Sequence, residues 1–360
     1  MRFHWYWPFA REEELGWAQG VAQDGDSVVV QVIDREAAPP AGTTGNVTVR
    51  RDLPDVDRSA SGIRWIPSRA RTYLARSRQR RNAWTTDAYD LVHLHYVNRF
   101  TDALARTPRP LVISVHDVTP HVARLGALER PLARRVYRRA DALVVHHATL
   151  KARLIDEFDV DDERVFVVPH QVFPSPLAGE PPAATPTLLF FGALRANKGL
   201  ADLVEAFAQL PGDGLRLIIA GRGDADQEAL ARGAAASDPR ISAEIGFVSL
   251  DRKRELFREA SLIVLPYRSF ASQSGVLHDA YAQGRPVVAT RVGALGDTVD
   301  EDGTGIVVPV SDPAALATGI TEALDADAWS RSAAASAAIR VDRSPHQTGQ
   351  RLRAAYDSIV

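Results

Sequence analysis

Two cationic side chains follow a glycine in the stretch FFGALRANKG, where Arg195 and Lys198 lie three residues apart. The apolar run before them ends at Gly192, which predicts a buried strand that leads into a tight loop. On such a loop both cations could bind one diphosphate, the arginine in bidentate fashion and the lysine as a point charge. The stretch therefore predicts a diphosphate site, although a solvated loop with incidental cations fits these residues equally well.

A second candidate anion site lies in SFASQSGVLHDAYAQG, where small and hydroxyl-bearing residues precede an apolar helix. Ser272, Gln273, Ser274 and Gly275 form the expected helix start, at which backbone N–H groups favour an anion and serine hydroxyls add donors. Asp279 follows one turn later and could accept hydrogen bonds from neutral hydroxyls such as those of a ribose. A solvent-facing helix residue is the alternative interpretation of this carboxylate.

The composition excludes several classes of site. The chain has 360 residues, which suggests two domains of ordinary size, and it is 45% hydrophobic and 24% charged, as soluble globular proteins are. It contains no cysteine, so disulfides and thiolate metal sites are excluded. The first residues lack the pattern of a signal peptide, and no stretch approaches the length of apolar run that spans a membrane. We therefore expect a cytoplasmic protein without a membrane span.

Charge is spread unevenly along the chain, although the formal net charge is only −2. Residues 1–170 carry 25 Lys and Arg against 22 Asp and Glu, and the remainder carries 18 against 23. Seven arginines lie between Arg64 and Arg81, and a second run extends from Arg130 to Arg139. Such runs are typical of a solvated helix face, and the aromatic residues within the first run also fit peripheral contact with an anionic membrane or acceptor. No nucleic-acid recognition motif accompanies the charge, so no nucleic-acid partner is expected.

Apolar runs alternate with segments of helical periodicity, which favours βα units and parallel sheets. The expected strands of the first half are RFHWYW, SVVVQVI, LVHLHYV, LVISVH, ALVVHH and RVFVVPH. Residues 171–186 are rich in proline and alanine without periodicity and are interpreted as a linker. The fold class is therefore α/β, with domains at 1–170 and 187–343. A helix at about 344–360 is predicted to pack back on the first domain.

Five motifs of the second half occur in the order and spacing of one enzyme family. They are FFGALRANKG, IIAGRGD, IGFVSLDRKRELFREASLIVLPY, SQSGVLHDAYAQGRPVVAT and VGALGDTVDEDGTGIVVP. Together they resemble the retaining GT-B glycosyltransferases of family 4, and DLVHLHYVN and LVISVHDVTPH in the first half match more loosely. The resemblance implies two doubly wound Rossmann-like domains that face each other across a cleft. It also implies an acceptor-binding N-terminal domain and a C-terminal domain that binds a nucleotide-sugar donor.

The resemblance implies a role in donor binding for each motif residue. Arg195 and Lys198 would bind the diphosphate and neutralise charge on the leaving group, and Asp279 would hold the ribose. Phe247 and Val248 would border the nucleobase, chiefly through their backbone. The remaining donor-binding residues implied by the resemblance are Gly192, Gly221, Arg222, Ser272, Gln273, Ser274, Gly275 and Val276.

The sequence departs from the family pattern at three positions. Ala193 replaces the arginine that usually follows the glycine, and Arg195 is expected to substitute for it. Ala271 replaces the first glutamate of the E-x7-E pair, so we expect the polar side chains of residues 272–274 to supply neutral hydrogen bonds to the sugar or phosphate. Asp297 replaces the usual glutamate of the GGxxE motif and is shorter by one methylene group.

One histidine of the first half is implied to take part in the reaction. His116 ends LVISVH at the expected terminus of a strand, and by resemblance it would contact the donor sugar or diphosphate near the reacting carbon. A structural histidine is the alternative interpretation. Asp117 follows it and is expected to orient His116, to cap a helix or to contact the acceptor.

Three further residues of the first half are assigned to the acceptor, one of them a member of a histidine pair. His93 and His95, in HLHY, are expected to alternate faces of a strand, so that one faces the core, and His95 is assigned to the acceptor. Arg11 and Glu12, in PFAREEE, are expected to face the acceptor as well. Glu12 and its neighbours equally fit the first turn of a helix, where acidic residues are favoured.

The resemblance implies retaining glycosyl transfer from a nucleotide-sugar donor to a glycan or lipid-linked acceptor, without a metal or other cofactor. The leaving diphosphate would accept the acceptor's proton while the cations and the helix N-terminus stabilise its charge. The expected role is synthesis of polysaccharide, glycolipid or cell-envelope glycan in the cytoplasm, with peripheral contact to the inner face of the plasma membrane through Arg64–Arg81. The alternatives are a non-catalytic homologue that binds nucleotide sugar or scaffolds a complex, and a nucleotide-sugar epimerase or hydrolase.

Overall fold

The computed structural model describes most of the chain. The described residues are 1–360 apart from 36–37, 57–64, 105, 117, 119–128, 174, 176–183, 213 and 271–273, and the side chains of 13, 65–67, 99–100 and 104 are likewise outside the description. Asp117, Ala271, Ser272 and Gln273, which the sequence singles out, therefore lie outside the described residues.

The chain divides into two compact units. Unit 1 comprises Met1–Pro169 together with Pro345–Val360, and unit 2 comprises His170–Ser344. Each unit contains a sheet flanked by helices, so the α/β class expected from the alternating pattern is confirmed.

Unit 1 is built on a sheet of eight described strands in the order β3-β4-β2-β1-β5-β6-β7-β8. All neighbouring strands are parallel except the β3–β4 pair, which is antiparallel. Parallel strands are covered on both faces, which explains why the apolar runs are nearly continuous. The bounds are β1 Arg2–Tyr6, β2 Ser27–Ile33, β3 Gly42–Thr44, β4 Val47–Leu53, β5 Leu91–Leu94, β6 Leu111–Ser114, β7 Ala142–Val145 and β8 Val165–Val167.

The C-terminal helix belongs to unit 1 and packs on its first helix. A Cβ atom built at Gly20 would lie 2.5 Å from the carbonyl oxygen of His346, so only a glycine permits the close crossing of the two helices. Arg353 forms a buried ion pair with Asp26 that fastens the C-terminal helix. The helices of unit 1 are α1 Leu15–Val21, α2 Trp65–Thr86, α3 Arg99–Leu104, α4 Glu129–Tyr137, α5 Ala148–Phe158 and α13 Pro345–Asp357.

The arginine run on α2 does not form a single solvated face. Arg80 is 2% exposed and pairs with the buried Asp102. Arg76 is also buried and donates to the carbonyl oxygen of Pro54 at 2.7 Å. The proposed membrane patch Arg64–Arg81 is therefore wrong for these two cations, because each is committed to partners inside the unit. Four exposed side chains of α2 follow the three- and four-residue spacing of one helix face. They are Arg71, Leu74, Arg78 and Arg81.

His93 and His95 lie on the same face of the sheet, contrary to the expectation that they alternate. Residues two apart on a strand point to one side, and both rings are fully buried with centroids 3.9 Å apart. His95 packs among Trp5, Trp7 and Trp17, with ring centroids 4.6 to 5.1 Å away. The assignment of His95 to the acceptor is therefore wrong, because its side chain has no exposed surface.

Unit 2 has a fully parallel sheet of described strands in the order β11-β10-β9-β12-β13-β14. The strands are β9 Thr187–Leu194, β10 Arg216–Gly223, β11 Ile241–Ile245, β12 Leu262–Leu265, β13 Val287–Thr290 and β14 Gly305–Val308. The order reverses direction between β9 and β12, and the carboxyl ends of strands at such a switch point form the crevice where α/β sheets bind ligands. The helices are α6 Leu200–Gln209, α7 Ala225–Ser237, α8 Leu250–Glu259, α9 Gly275–Gln283, α10 Gly293–Asp302, α11 Pro313–Ala323 and α12 Ala326–Asp342.

Candidate functional site

Two glycines bring the ends of β9 and β10 together beside α9. Gly221 has φ +145°, and a Cβ atom at this position would lie 1.8 Å from the carbonyl oxygen of Gly192. Gly192 has φ +118°, and its Cβ would lie 3.5 Å from Cγ2 of Val276 in the first turn of α9. Both positions require glycine for their conformation, and Gly221 requires it for space as well. The backbone at the switch point therefore lies next to the N-terminus of a helix.

The loop after β9 is held against the segment that follows β12. A single 3-10 turn covers Ala196–Lys198 and ends at Gly199, whose φ of +70° and close approach to the carbonyl oxygen of Pro266 exclude a side chain. Asn197 accepts from the backbone N–H of Arg268 at 2.9 Å and donates from Nδ2 to the carbonyl oxygen of Ser269 at 3.0 Å. These bonds fix the loop that carries both predicted cations.

Lys198 lies against two aromatic rings. Its Nζ is 3.5 Å from the ring centroid of Tyr267 and 4.1 Å from that of Phe270, within the range of cation–π attraction. Burial, and then the positive charge of Arg195, lowers the pKa of Lys198 to about 8. Neither Arg195 nor Lys198 has a carboxylate partner among the described residues. Two neighbouring cations without a counter-charge are the arrangement that favours a bound anion.

The second predicted anion site meets the first at Tyr267. Ser274 precedes α9 and is buried, and its Oγ lies 3.3 Å from the hydroxyl of Tyr267. The Tyr267 ring thus contacts Lys198 on its face and Ser274 through its hydroxyl. Gly275 is the first residue of α9, so the free backbone N–H groups of a helix start lie on this side of the site. Among the described residues, the structure therefore joins Lys198, Ser274 and Gly275 in one region.

Asp279 has a cationic partner that the sequence analysis missed. Its Oδ1 lies 2.8 Å from Nζ of Lys253 on α8, and both side chains are partly exposed. The ion pair orients the carboxylate, which lies on α9 one turn after the helix start. The sequence signal was present in RKRELFREA, but no local pattern says which of its cations reaches another helix.

An exposed aromatic side chain follows β11. Phe247 is 80% exposed, and the guanidinium carbon of Arg222 lies 5.8 Å from its ring centroid. The N–H of Gly246 donates to the carbonyl oxygen of Gly221 at 2.8 Å, which places Phe247 next to the end of β10. Val248 is partly buried and packs against a core cluster of unit 2. A solvent-facing ring at the carboxyl end of the sheet offers a face on which a planar base can stack.

The acidic run after β1 forms the start of a helix. Glu12–Glu14 make a 3-10 turn that leads into α1, and Oε2 of Glu14 accepts from the backbone N–H of Arg11 at 2.8 Å. Arg11 and Glu12 are exposed. This geometry matches the helix-start interpretation of the glutamates, and the acceptor role of Arg11 and Glu12 stays a prediction.

His116 already has hydrogen-bond partners on both ring nitrogens. Its Nε2 lies 2.9 Å from the carbonyl oxygen of His95, and its Nδ1 lies 3.1 Å from Nε2 of His146. Tyr96 stacks on the ring with a centroid distance of 4.9 Å. A direct contact between His116 and a substrate would therefore require one of these bonds to open or to be shared.

Two features are absent from the described residues. No group of three or more His, Asp or Glu side chains is arranged to hold a metal ion in the part of the chain that the structure describes. Asp224 and Asp226, two carboxylates that lie close together in the sequence, are at the start of α7. Within the same described residues, no helix combines the length and apolar character needed to cross a membrane.

Comparison with known proteins places the chain in a family. The model described as "Glycosyl transferases group 1" matches residues 185–326, and the model described as "Glycosyltransferase Family 4" matches residues 16–174. A D-inositol 3-phosphate glycosyltransferase of Xylanimonas cellulosilytica is 30% identical over 290 residues, which cover 71% of this chain and 68% of the relative. Enzymes of the same name from Nocardia farcinica and Acidothermus cellulolyticus are covered over 55% and 60% of their length, so the chain spans between about half and two thirds of these relatives.

Solved structures show the same fold. Sucrose-phosphate synthase from Thermosynechococcus elongatus superposes with a TM-score of 0.74 at 18% identity, over 99% of this chain and 98% of that one. Anabaena HepE in complex with UDP-glucose superposes with a TM-score of 0.64 at 17% identity, over the whole length of both chains. The α/β fold is thus that of the GT-B glycosyltransferases, as the resemblance implied. The family models, the sequence relative and the fold agree that this chain belongs to the group 1 glycosyltransferases.

Proposed function

We propose that the chain is a retaining glycosyltransferase that moves a sugar from a nucleotide-diphosphate sugar to a hydroxyl acceptor without a metal ion. The observation that carries the proposal is the pair of cations at the end of β9. Arg195 and Lys198 lie on a fastened loop, have no carboxylate partner among the described residues and share one region with the start of α9. A diphosphate is the ligand that two such cations and a helix N-terminus favour. The complex of HepE with UDP-glucose, in a chain of the same fold, supports this choice of donor.

The roles of the other residues follow from this assignment. Asp279, oriented by Lys253, would bind the ribose hydroxyls, and Phe247 would stack on the base with Val248 and Arg222 beside it. In unit 1, Arg11, Glu12 and Asp117 are proposed to contact a glycan or lipid-linked acceptor. The polar side chains of residues 272–274 would contact the donor sugar or its phosphates in place of the glutamate that Ala271 replaces.

The proposed reaction needs no protein nucleophile. The bond between the anomeric carbon and the β-phosphate oxygen breaks, and the acceptor oxygen forms its bond to the same face of that carbon. The acceptor's proton passes to the departing phosphate oxygen, so that atoms and charge balance. Arg195, Lys198 and the N–H groups at the start of α9 stabilise the charge that develops on the leaving diphosphate. His116 is proposed to act near the reacting carbon, through a bond that opens or is shared.

A binding screen followed by product analysis tests the proposal. Thermal shifts are measured with a panel of nucleoside diphosphates and nucleotide sugars, since a ligand that binds only the native state stabilises it by mass action. The best donor is then incubated with polyol phosphates, oligosaccharides and lipid-linked sugars in the presence of EDTA. We expect an α-linked product from an α-linked donor, as read from the anomeric proton signal. A β-linked product would refute retention, loss of activity with EDTA would refute metal independence, and binding without any product would favour the non-catalytic, epimerase or hydrolase alternative.

The affinity for UDP is expected to fall as the pH rises through about 8. Lys198 has a pKa of about 8 in the free protein, and a bound diphosphate favours its protonated form. The affinity is therefore constant below that pH and decreases above it, by up to about tenfold for each pH unit. The last pKa of the phosphates is near 6, so their ionisation is nearly complete before the pH reaches 8. Titration calorimetry between pH 6.5 and 9.5 measures the effect, and uptake of a proton from the buffer near pH 8 is its signature. If the UDP affinity of the unaltered chain does not change with pH, as is expected for Lys198→Met, the prediction is wrong.

We further propose that unit 1 contacts anionic membranes through the exposed stripe on α2. The stripe consists of Arg71, Leu74, Arg78 and Arg81, and it replaces the longer run that the sequence suggested. Arginines near an anionic surface each contribute about 1 kcal/mol, so neutralising three of them should lower the partition onto vesicles by about 100-fold. The test is co-sedimentation with vesicles that contain phosphatidylglycerol, for the variant in which all three arginines are replaced by glutamine.

A matched variant controls for the loss of net charge. Arg216, Arg232 and Arg291 are exposed residues of unit 2, and replacing them by glutamine removes the same charge from another surface. We expect this variant to bind vesicles as the unaltered chain does. Equal binding by all three proteins, or an equal loss in both variants, would refute the stripe as the membrane-contacting surface.

A further inference from the structure

Four chain segments of unit 1 meet at the carboxyl ends of β5 to β8. His116 follows β6 and His146 directly follows β7, and their Nδ1 and Nε2 atoms, respectively, are 3.1 Å apart. The carbonyl oxygen of His95, at the end of β5, lies 2.9 Å from Nε2 of His116. The carbonyl oxygen of Val168, after β8, lies 2.9 Å from Nδ1 of His146. The two imidazole rings thus form a bridge between two backbone carbonyl groups.

The hydrogen atoms on this bridge can be counted. A carbonyl oxygen only accepts hydrogen bonds, so Nε2 of His116 and Nδ1 of His146 must each carry a hydrogen. A neutral imidazole has a single N–H, which leaves a lone pair on Nδ1 of His116 and on Nε2 of His146. These two lone pairs would then face each other at 3.1 Å. One additional proton converts that repulsive contact into a charge-assisted hydrogen bond.

We propose that His116 and His146 share one additional proton, so that the pair carries a single positive charge and His146 is a positioning residue for His116. The proton comes from solvent and no covalent bond other than N–H changes. The pair joins the segments after β5, β6, β7 and β8 at the edge of the sheet where ligands of such sheets bind.

The neighbouring histidines His93 and His95 do not take up this proton in place of the pair. His95, behind His116, has no partner for either ring nitrogen among the described residues, so a second N–H there would be buried and unsatisfied. His93 has partners in Tyr356 and Ser114, at 2.5 and 2.9 Å. Burial, and then the positive charge of neighbouring histidines, holds the pKa of both His93 and His95 well below its ordinary value.

Two further titratable groups adjoin the pair. The ring of Tyr96 stacks on His116, and an aromatic face favours the charged form of the imidazole. His147 follows His146, but its Nδ1 accepts from the backbone N–H of Thr149 at the start of α5. Asp117 follows His116 in the chain and lies outside the described residues.

Sharing of a proton would give unit 1 a fixed cation at its ligand-binding edge. A fixed cation at this edge favours an anionic ligand, and assigning such a ligand to glycosyl transfer would rest on the proposed function. The protonation of the pair itself does not rest on it. The tests below therefore use the full chain without substrate. They can refute the shared proton while donor binding is observed, and they can support it while no donor binds.

Nitrogen-15 NMR of histidine-labelled full-length protein at pH 7 tests the proton directly. We expect Nδ1 of His116 and Nε2 of His146 to give shifts between those of a protonated and a bare ring nitrogen, with a far-downfield proton coupled to them. The signals are assigned by their loss in His146→Gln and His116→Gln. Two neutral rings, each with one fully protonated and one bare nitrogen, would overturn the proposal.

The pH dependence of unfolding gives a second, independent test. A folded pair that holds one shared proton above the ordinary histidine pKa of about 6.5 stabilises unit 1 most near that pH, because at lower pH the unfolded chain binds two protons and the folded pair only one. The stabilisation is lost as the pH rises through the folded-state pKa, so the folding equilibrium constant falls by up to about tenfold for each pH unit. In His146→Gln the amide donates to His116 without a titrating proton, so we expect this decline to disappear.

The control and the probe both come from the chain itself. His346 is an exposed histidine on α13, and His346→Gln should keep the decline that the unaltered chain shows. Five of the six tryptophans lie in unit 1, so tryptophan fluorescence during urea unfolding reports mainly on that unit. A decline that persists in His146→Gln, or that is absent from the unaltered chain, would overturn the proposal. If His146→Gln fails to fold, the NMR measurement on the unaltered chain decides.

Discussion

Replacement of Lys198 by methionine is expected to lower kcat/KM for glycosyl transfer by about 100-fold or more. Methionine keeps an unbranched side chain over the rings of Tyr267 and Phe270 and removes only the ammonium group. That ammonium is the group placed to stabilise the leaving diphosphate, together with Arg195. The UDP affinity should fall as well, because the diphosphate then meets one cation instead of two.

The same substitution is expected to raise the stability of unit 2. Lys198 is half-buried without a carboxylate partner among the described residues, and its lowered pKa means that the folded state disfavours its charge. Removing the charge should stabilise the fold by on the order of 1 kcal/mol at pH 7, after allowance for screening by solvent. Loss of activity combined with a gain in stability identifies a functional cation, because replacing a structural cation would lower both activity and stability.

Lys151→Met is the matched control for this experiment. Lys151 lies on α5 in unit 1 and forms a surface ion pair with Asp162 at 3.0 Å, which contributes little to stability. We expect its turnover, UDP affinity and unfolding temperature to match those of the unaltered chain. Steady-state kinetics, calorimetric titration with UDP and thermal unfolding provide the three readouts. If Lys198→Met retains both turnover and UDP affinity, the assignment of the diphosphate site is wrong.

The local sequence predicted the parts of the site that depend on local conformation. Gly192 and Gly221 were expected at strand ends and lie two residues before the ends of β9 and β10, and Ser274 directly precedes α9 as expected. Such positions have a sequence signature because the backbone geometry itself selects the residue type. The same reasoning predicted the βα alternation and the parallel sheets.

The local sequence did not reveal contacts between distant segments. Tyr267 and Phe270 form the surface beneath Lys198, yet they are separated from it by about seventy positions and read as ordinary residues of a loop after a strand. The aromatic pair in LPYRSF was the available signal, but nothing in it names its partner. Lys253 was missed for the same reason, since its contact with Asp279 joins two different helices.

The histidines of unit 1 show how a correct motif can carry an incorrect interpretation. The apolar run before His95 predicted a buried strand, and β5 is one. The error lay in the assignment of faces, because side chains two positions apart on a strand share a face and both rings are buried together. The interpretation of the arginine run on α2 was wrong for a different reason. Charge alone indicated solvent, but Arg76 and Arg80 find polar partners inside the unit, which composition cannot show.

Replacement of Gly221 by alanine is the second substitution with a large expected effect. The new Cβ would lie 1.8 Å from the carbonyl oxygen of Gly192, and the residue would keep a φ of +145°, which side chains rarely adopt. Strain and overpacking should together destabilise unit 2 by on the order of 3 kcal/mol. Relief of the clash must move the end of β9 away from that of β10, so the loop that carries Arg195 and Lys198 moves too. We therefore expect UDP binding to be lost even at temperatures where the variant remains folded.

Gly233→Ala adds the same methyl group but is expected to stabilise unit 2 rather than destabilise it. Gly233 is exposed on α7 of the same unit, and a Cβ atom there would meet no atom within 4 Å. Alanine in a helix interior is favoured over glycine by about 0.5 to 1 kcal/mol, so this variant should unfold at a higher temperature and bind UDP unchanged. Scanning calorimetry gives the stabilities, circular dichroism confirms folding, and titration calorimetry gives the affinities. If the two variants behave alike, the close crossing of β9 and β10 does not position the diphosphate loop, because one added methyl group would then have the same effect at a crowded strand end as on an open helix face.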